Sequence, residues 1–269
     1  MYTWLDATQD GMSWSVTASY FGAPSLTIDQ EPLSARTHAG DTTGRVVWEC
    51  GNVMLRWLER GGVTRLVSPP GAPPTACVLS SSVAGLCALD MSAGAGLAAI
   101  AFARGGARVA ASETADQLAH LARNVALNAV DVALLEHRWG SAGSREELLP
   151  PWNSDASLPY DFGFCSDVLY IALCNRLGDA LADSLRTATA LCRGGLVFGF
   201  EERLVDEENE WVIALAGAGG VFVEEVTVPA GTRDDALENA GGPNSGESAA
   251  LGALFYSAPP VRLFILRRI

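Results

Sequence analysis

Apolar and polar positions follow one regime before residue 78 and another after it. In the first part, residues 13–30 (SWSVTASYFGAPSLTIDQ) alternate polar and apolar around Phe-Gly-Ala-Pro, which predicts a β-hairpin. From about 46 to 59 the apolar residues Val47, Cys50, Met54, Trp57 and Leu58 recur at helical spacing, which predicts an amphipathic helix. Gly51 weakens that helix by about 1 kcal/mol relative to alanine. Trp48 lies off the apolar stripe, so it either faces a ligand or packs as ordinary core. Breakers then accumulate in 61–77, with Gly61-Gly62 and Pro69-Pro70-Gly71-Ala72-Pro73-Pro74. They divide an N-terminal appendage, 1–77, from a main domain, 78–269.

In the main domain short apolar runs alternate with stretches of helical length. Strands are predicted at Leu86–Met91, Ala107–Ser112, Val132–His137, Tyr160–Ser166 and Gly195–Phe200. Helices are predicted over 96–104, 115–127, 172–191 and through Trp211. Asn124 and Asn128 fall together on one face of the second helix. Two late strands, Val221–Val228 and Val261–Arg267, flank a Gly/Pro/Asn/Asp-rich stretch, 229–259, that reads as a long surface loop. The order predicts an α/β fold: a doubly wound, mostly parallel seven-stranded sheet whose closing hairpin supplies an antiparallel strand.

Composition narrows the functions. A net charge of −13 argues against nucleic acid as main partner and suits basic protein surfaces, or serves solubility alone. No apolar run is long enough for a membrane span, and the first residues show no secretory pattern. The six cysteines form no C-x-x-C pair and most lie in apolar runs, as in a reduced cytoplasmic or nuclear protein. The three histidines are scattered, so no metal site is predicted. A monomer is expected.

The chemistry concentrates in 85–113, GLCALDMSAGAGLAAIAFARGGARVAASE. Strand, glycine turn, helix, strand and acid follow the pattern of a nucleotide-type cofactor site. Gly94 and Gly96 offer bare backbone, and Glu113 stands where a carboxylate would meet ribose hydroxyls. By itself the stretch also fits a plain strand–helix turn. Asp90, an acid at the end of the first strand, disfavours a dinucleotide pyrophosphate and suits a cationic cofactor end.

Taken in order, LDMSAGAGLAAIAFARGGARVAASE, NVALN, RWG, DFGFCSDVLY and RLFILRR, with TGRVVWECGNVMLRWLE upstream, resemble the seven-β-strand methyltransferases of the methyltransferase-like 21 type. That family includes lysine methyltransferases acting on chaperones, valosin-containing protein and elongation factors. The resemblance implies a Rossmann-like methyltransferase domain that uses S-adenosyl-L-methionine to methylate a lysine of a protein substrate. It implies that Asp90, Ala93, Gly94 and Gly96 cradle the methionine part and approach the ribose, and that Glu113 binds the ribose hydroxyls. Trp139 would lie beside the adenine, and Trp48 would close over the cofactor. Asp167 and Tyr170, a D-x-x-Y motif, would stand near the methionyl end and the acceptor, as the catalytic pair. Ser92 departs from the family's usual glycine and would fit with a negative φ. That departure leaves a non-catalytic adaptor as an alternative, beside a small-molecule N-methyltransferase.

Overall fold

The computed structural model describes residues 3–5, 14–30, 47–67, 82–152, 158–229 and 260–269. Seven strands form the main sheet: β4 (Cys87–Met91), β5 (Arg108–Glu113), β6 (Val132–Glu136), β7 (Phe162–Ser166), β8 (Leu196–Glu201), β9 (Val221–Val226) and β10 (Val261–Arg268). Their order is β6-β5-β4-β7-β8-β10-β9. The first five pair in parallel. β10 inserts antiparallel between β8 and β9, as the closing hairpin predicted. The strand order reverses at β4, whose two neighbours are β5 and β7, so the crevice outside its carboxyl end is where a ligand seats in such a sheet.

Helices cover both faces, which is why the central strands are apolar on both sides. On one face lie α1 (Glu49–Trp57), α3 (Leu97–Arg104) and α4 (Ala115–Leu127). Phe102 of α3 meets Phe162 and Phe164 edge-on, with ring centroids 5.2 and 5.5 Å apart. On the other face lie α6 (Leu169–Cys174), α7 (Gly178–Leu191) and α8 (Val205–Gly217), packed on Leu89, Phe198, Phe200 and Phe264. Leu26, Ile28, Met54 and Leu55, which precede the proline stretch, share one cluster with Phe102 and Phe164.

Two local differences from the expected elements have physical causes. The helix predicted over 172–191 is two, because Arg176 adopts φ +60° and breaks the run. The first helix is buried on nearly every side rather than along one stripe, and a kink at Arg60 and Gly61 (φ +105°) leads it into α2 (Val63–Val67). Among the described residues of the loop before β7, a single turn forms, α5 (Ser144–Glu147). The 229–259 loop lies outside the described residues, apart from Pro229.

The predicted hairpin is part of a small antiparallel sheet: β1 (Thr3–Leu5), β2 (Trp14–Ala18) and β3 (Leu26–Gln30), in that order. β3 is an edge, and α4 satisfies its backbone with side-chain amides. Asn128 accepts from the Thr27 amide at 2.8 Å and donates to the Thr27 carbonyl at 2.6 Å. Asn124 does the same two residues on, accepting from Asp29 N–H at 2.8 Å and donating to Asp29 O at 3.0 Å. Helix spacing of four meets strand spacing of two, so the pair acts as a substitute strand. Asn124 Nδ2 also donates to Ala95 O at 2.9 Å, inside the glycine turn after β4. Asn124→Ala is therefore expected to cost about 2–4 kcal/mol in urea unfolding, since Asn124 is fully buried and three backbone groups lose its bonds. Asn124→Asp is expected to cost more, because it sets a carboxylate against two carbonyl oxygens. Equal unfolding midpoints for both variants and the parent would contradict this.

Candidate active site

The carboxyl ends of β4, β5, β7 and β8 and the start of α1 open into one cavity of ≈ 720 Å³. Of the residues singled out in the sequence, Trp48, Asp90, Ala93, Gly94, Glu113, Trp139, Asp167 and Tyr170 line it. Gly96 does not. It sits beneath, as the N-cap of α3 with φ +88°, and a Cβ there would lie 2.5 Å from Leu121 Cδ1. Glycine is thus required for the turn and its packing, one step removed from the ligand.

The two acids stand at neighbouring strand tips. Asp90 is buried. One of its oxygens accepts the Ala99 amide of α3 at 2.9 Å, and the other has no partner among the described residues. Burial pushes its pKa up to about 8, against the Ala99 hydrogen bond, and Glu113 adds to the rise. Glu113 accepts the Gly94 amide at 3.2 Å and the Thr114 amide at 2.8 Å, so it ties the glycine turn to β5. Its pKa is also raised, chiefly by burial.

Asp90 holds its proton in the folded chain up to about pH 8, whereas an unfolded aspartate releases it near pH ~4. Its contribution to stability is therefore complete below about pH 4 and is lost progressively as pH rises to about 8. Glu113, Glu201 and Glu208 shift in the same direction. Melting of the ligand-free protein is expected to fall between pH 5 and 8 by scanning calorimetry; a rise across that window would contradict the burial of these acids.

At the other end of the cavity lies a cluster built around Arg203. Arg203, just past β8, reaches back and grips both oxygens of Asp167, at 3.0 and 2.9 Å, and Glu201 at 2.8 Å. The rings of Trp48 and Tyr170 each stand 5.3 Å from its guanidinium. Asp167 does not cap α6, whose N-cap is Val168 without a side-chain bond. With φ +56° it turns into the sheet edge, where its side chain is 2% exposed and also accepts the Glu201 amide. Burial, with Asp167 close by, raises the Glu201 pKa. The only available signal was an EER run after the fifth strand, and its meaning depends on elements far apart in the chain. Gly51 was also missed. Its missing Cβ would lie 3.3 Å from Ser166 Oγ, so glycine lets α1 close on the tip of β7 at the cavity wall.

The same fold occurs in solved methyltransferases. A T. thermophilus 16S rRNA N2 methyltransferase, in complex with AdoMet and guanosine, superposes with a TM-score of 0.51 at 15% identity, over 98% of this chain and 52% of that one. The chain thus spans about half the length of that protein. An S-adenosylmethionine-dependent methyltransferase from Agrobacterium tumefaciens gives 0.47 at 16% identity, over 98% of this chain and 71% of that one. No curated protein matches in sequence.

The architecture is the fold of that AdoMet-bound methyltransferase. The chain belongs to the lysine methyltransferase family, whose model matches residues 27–214, well over half of the sequence.

The residues present fit the cofactor. The turn at Gly94 (φ +56°) is bare backbone at the cavity floor, and Glu113 lines the cavity beside it. The second oxygen of Asp90 is left for a cationic group.

Proposed function

We propose that the protein transfers a methyl group from S-adenosyl-L-methionine to a lysine side chain of a protein substrate. The observation that carries this reading is the continuity of one cavity from Asp90 and Glu113 to Tyr170, which is 38% exposed and so reaches the surface. A long, thin side chain entering beside Tyr170 would meet the methionyl end without unfolding the site. The family to which the chain belongs supports lysine as the acceptor.

When bound, the cofactor supplies an electrophilic methyl on a sulfonium. In that transfer the C–S bond would break as the N–C bond formed, with the positive charge passing from sulfur to nitrogen. The remaining work belongs to this chain: Asp90 is assigned to the cationic amino end, Ala93, Gly94 and Gly96 to the turn beneath it, Glu113 to the ribose, and Trp139 and Trp48 to the flanking walls. A lysine is protonated at neutral pH, with a pKa of ~10.4, so it must surrender a proton to solvent before attack. Desolvation against Trp48 and Tyr170 lowers that pKa. Asp167, held by Arg203, is assigned to orienting the amine together with Tyr170, so its part is fixed geometry rather than proton uptake.

Deuterated S-adenosylmethionine added with the protein to a lysate tests the reading. Trideuteromethyl-lysine in proteins, by mass spectrometry, is expected. Label confined to small metabolites would replace it with a small-molecule N-methyltransferase, and no label together with no cofactor binding would leave an adaptor.

A further inference from the structure

Ser92 stands at φ +60°, a conformation that side chains other than glycine rarely adopt. The negative φ under which a serine would fit easily is not what the turn adopts. A glycine would take this backbone more easily, so the serine side chain must contribute something else. Its hydroxyl accepts the indole N–H of Trp139 at 2.9 Å, across 47 residues of chain. The indole nitrogen can only donate, and this acceptor is the one the structure gives it.

The two residues line the same cavity. Each is also anchored from behind. The Ser92 amide donates to Ser112 Oγ at 3.3 Å, and Ser112 is fully buried in β5. The Gly140 amide, next to Trp139, donates to Ser184 Oγ at 3.2 Å. The hydroxyl–indole bond therefore joins two supported segments, the glycine turn and the loop after β6, at the cavity wall.

We propose that Ser92 is a positioning residue for the cofactor: its hydroxyl fixes the plane of the Trp139 indole and, through it, the seat of the adenine. The proposal rests on the reading that this cavity binds S-adenosylmethionine. Ser92 gains the indole bond at the expense of an easier backbone, and the ligand benefits through a ring that is already in place.

Calorimetric titration with S-adenosylhomocysteine tests it, using the full chain and the variants Ser92→Ala, Ser92→Gly, Trp139→Phe and Ser92→Ala/Trp139→Phe. Melting of each without ligand is recorded alongside. Both Ser92 variants are expected to bind about tenfold more weakly, the worth of one well-made hydrogen bond. Ser92→Gly is expected to melt no lower than the parent, which separates lost affinity from lost fold. The double variant is expected to bind no more weakly than Trp139→Phe, because the two act as one unit. Affinity for Ser92→Gly equal to or tighter than the parent, or additive losses in the double variant, overturns the proposal. Failure of the unaltered chain to bind would instead remove the cofactor reading beneath it.

Discussion

Arg203→Ala is expected to lower the melting temperature by about 10 °C and to abolish methyl transfer. The guanidinium neutralises Asp167, whose side chain is 2% exposed, and also holds Glu201. Removing one partner of a buried ion pair leaves an uncompensated charge and typically costs about 3–5 kcal/mol. In a chain of this size that corresponds to roughly 6–20 °C. The rings of Trp48 and Tyr170 lose the cation they face, so the acceptor wall loosens at the same time. Arg203→Lys keeps the charge but cannot pair with both oxygens of one carboxylate, so an intermediate melting point is expected. Scanning calorimetry of both variants decides the matter; unchanged melting would show that the cluster is solvated and that Asp167 needs no partner.

The second large effect has opposite signs for stability and binding. Asp90→Asn is expected to make the ligand-free protein more stable at pH 7, by a few kcal/mol, because a buried carboxyl whose pKa has risen to about 8 opposes folding there. The asparagine carbonyl can still accept the Ala99 amide, so the turn into α3 is preserved. Affinity for S-adenosylmethionine is expected to drop about 100-fold, the loss of a charge-assisted contact to a cation. Parent binding should also release a proton below pH 8, visible as a heat that depends on buffer ionisation, and the variant should not. A variant that binds as the parent does would take Asp90 out of the cofactor site.

These effects were only partly legible in the sequence. The stretch 85–113 was readable because its strands, turn and helix are set by local rules: apolar runs, glycines and an acid at a strand tip. The mostly parallel sheet and its one antiparallel strand followed from the alternation of elements, whereas the order of the strands is seen only in the structure. What escaped was fixed by contacts distant in sequence. Asn175, Arg176 and Leu177 look like helix, yet Arg176 takes φ +60° and the helix divides. Arg203 reads as one charge in a charged segment until β7, β8, α1 and α6 bring Asp167, Glu201, Trp48 and Tyr170 around it. The pair Asn124 and Asn128 was visible as a face, but its meaning lay in the backbone of β3, about a hundred residues upstream.

That last arrangement also sets a timetable for synthesis. Thr27 finds its partner only once Asn128, 101 positions later, has been made. At ribosomal speeds of about 5–20 residues per second, the hairpin waits on the order of 5–20 s without its seat. Throughout that interval Leu26 and Ile28, both buried in the finished fold, lack the cover that α4 gives to β3. Translation pauses before residue 128 would lengthen the exposure, and holdase chaperones would find their target there.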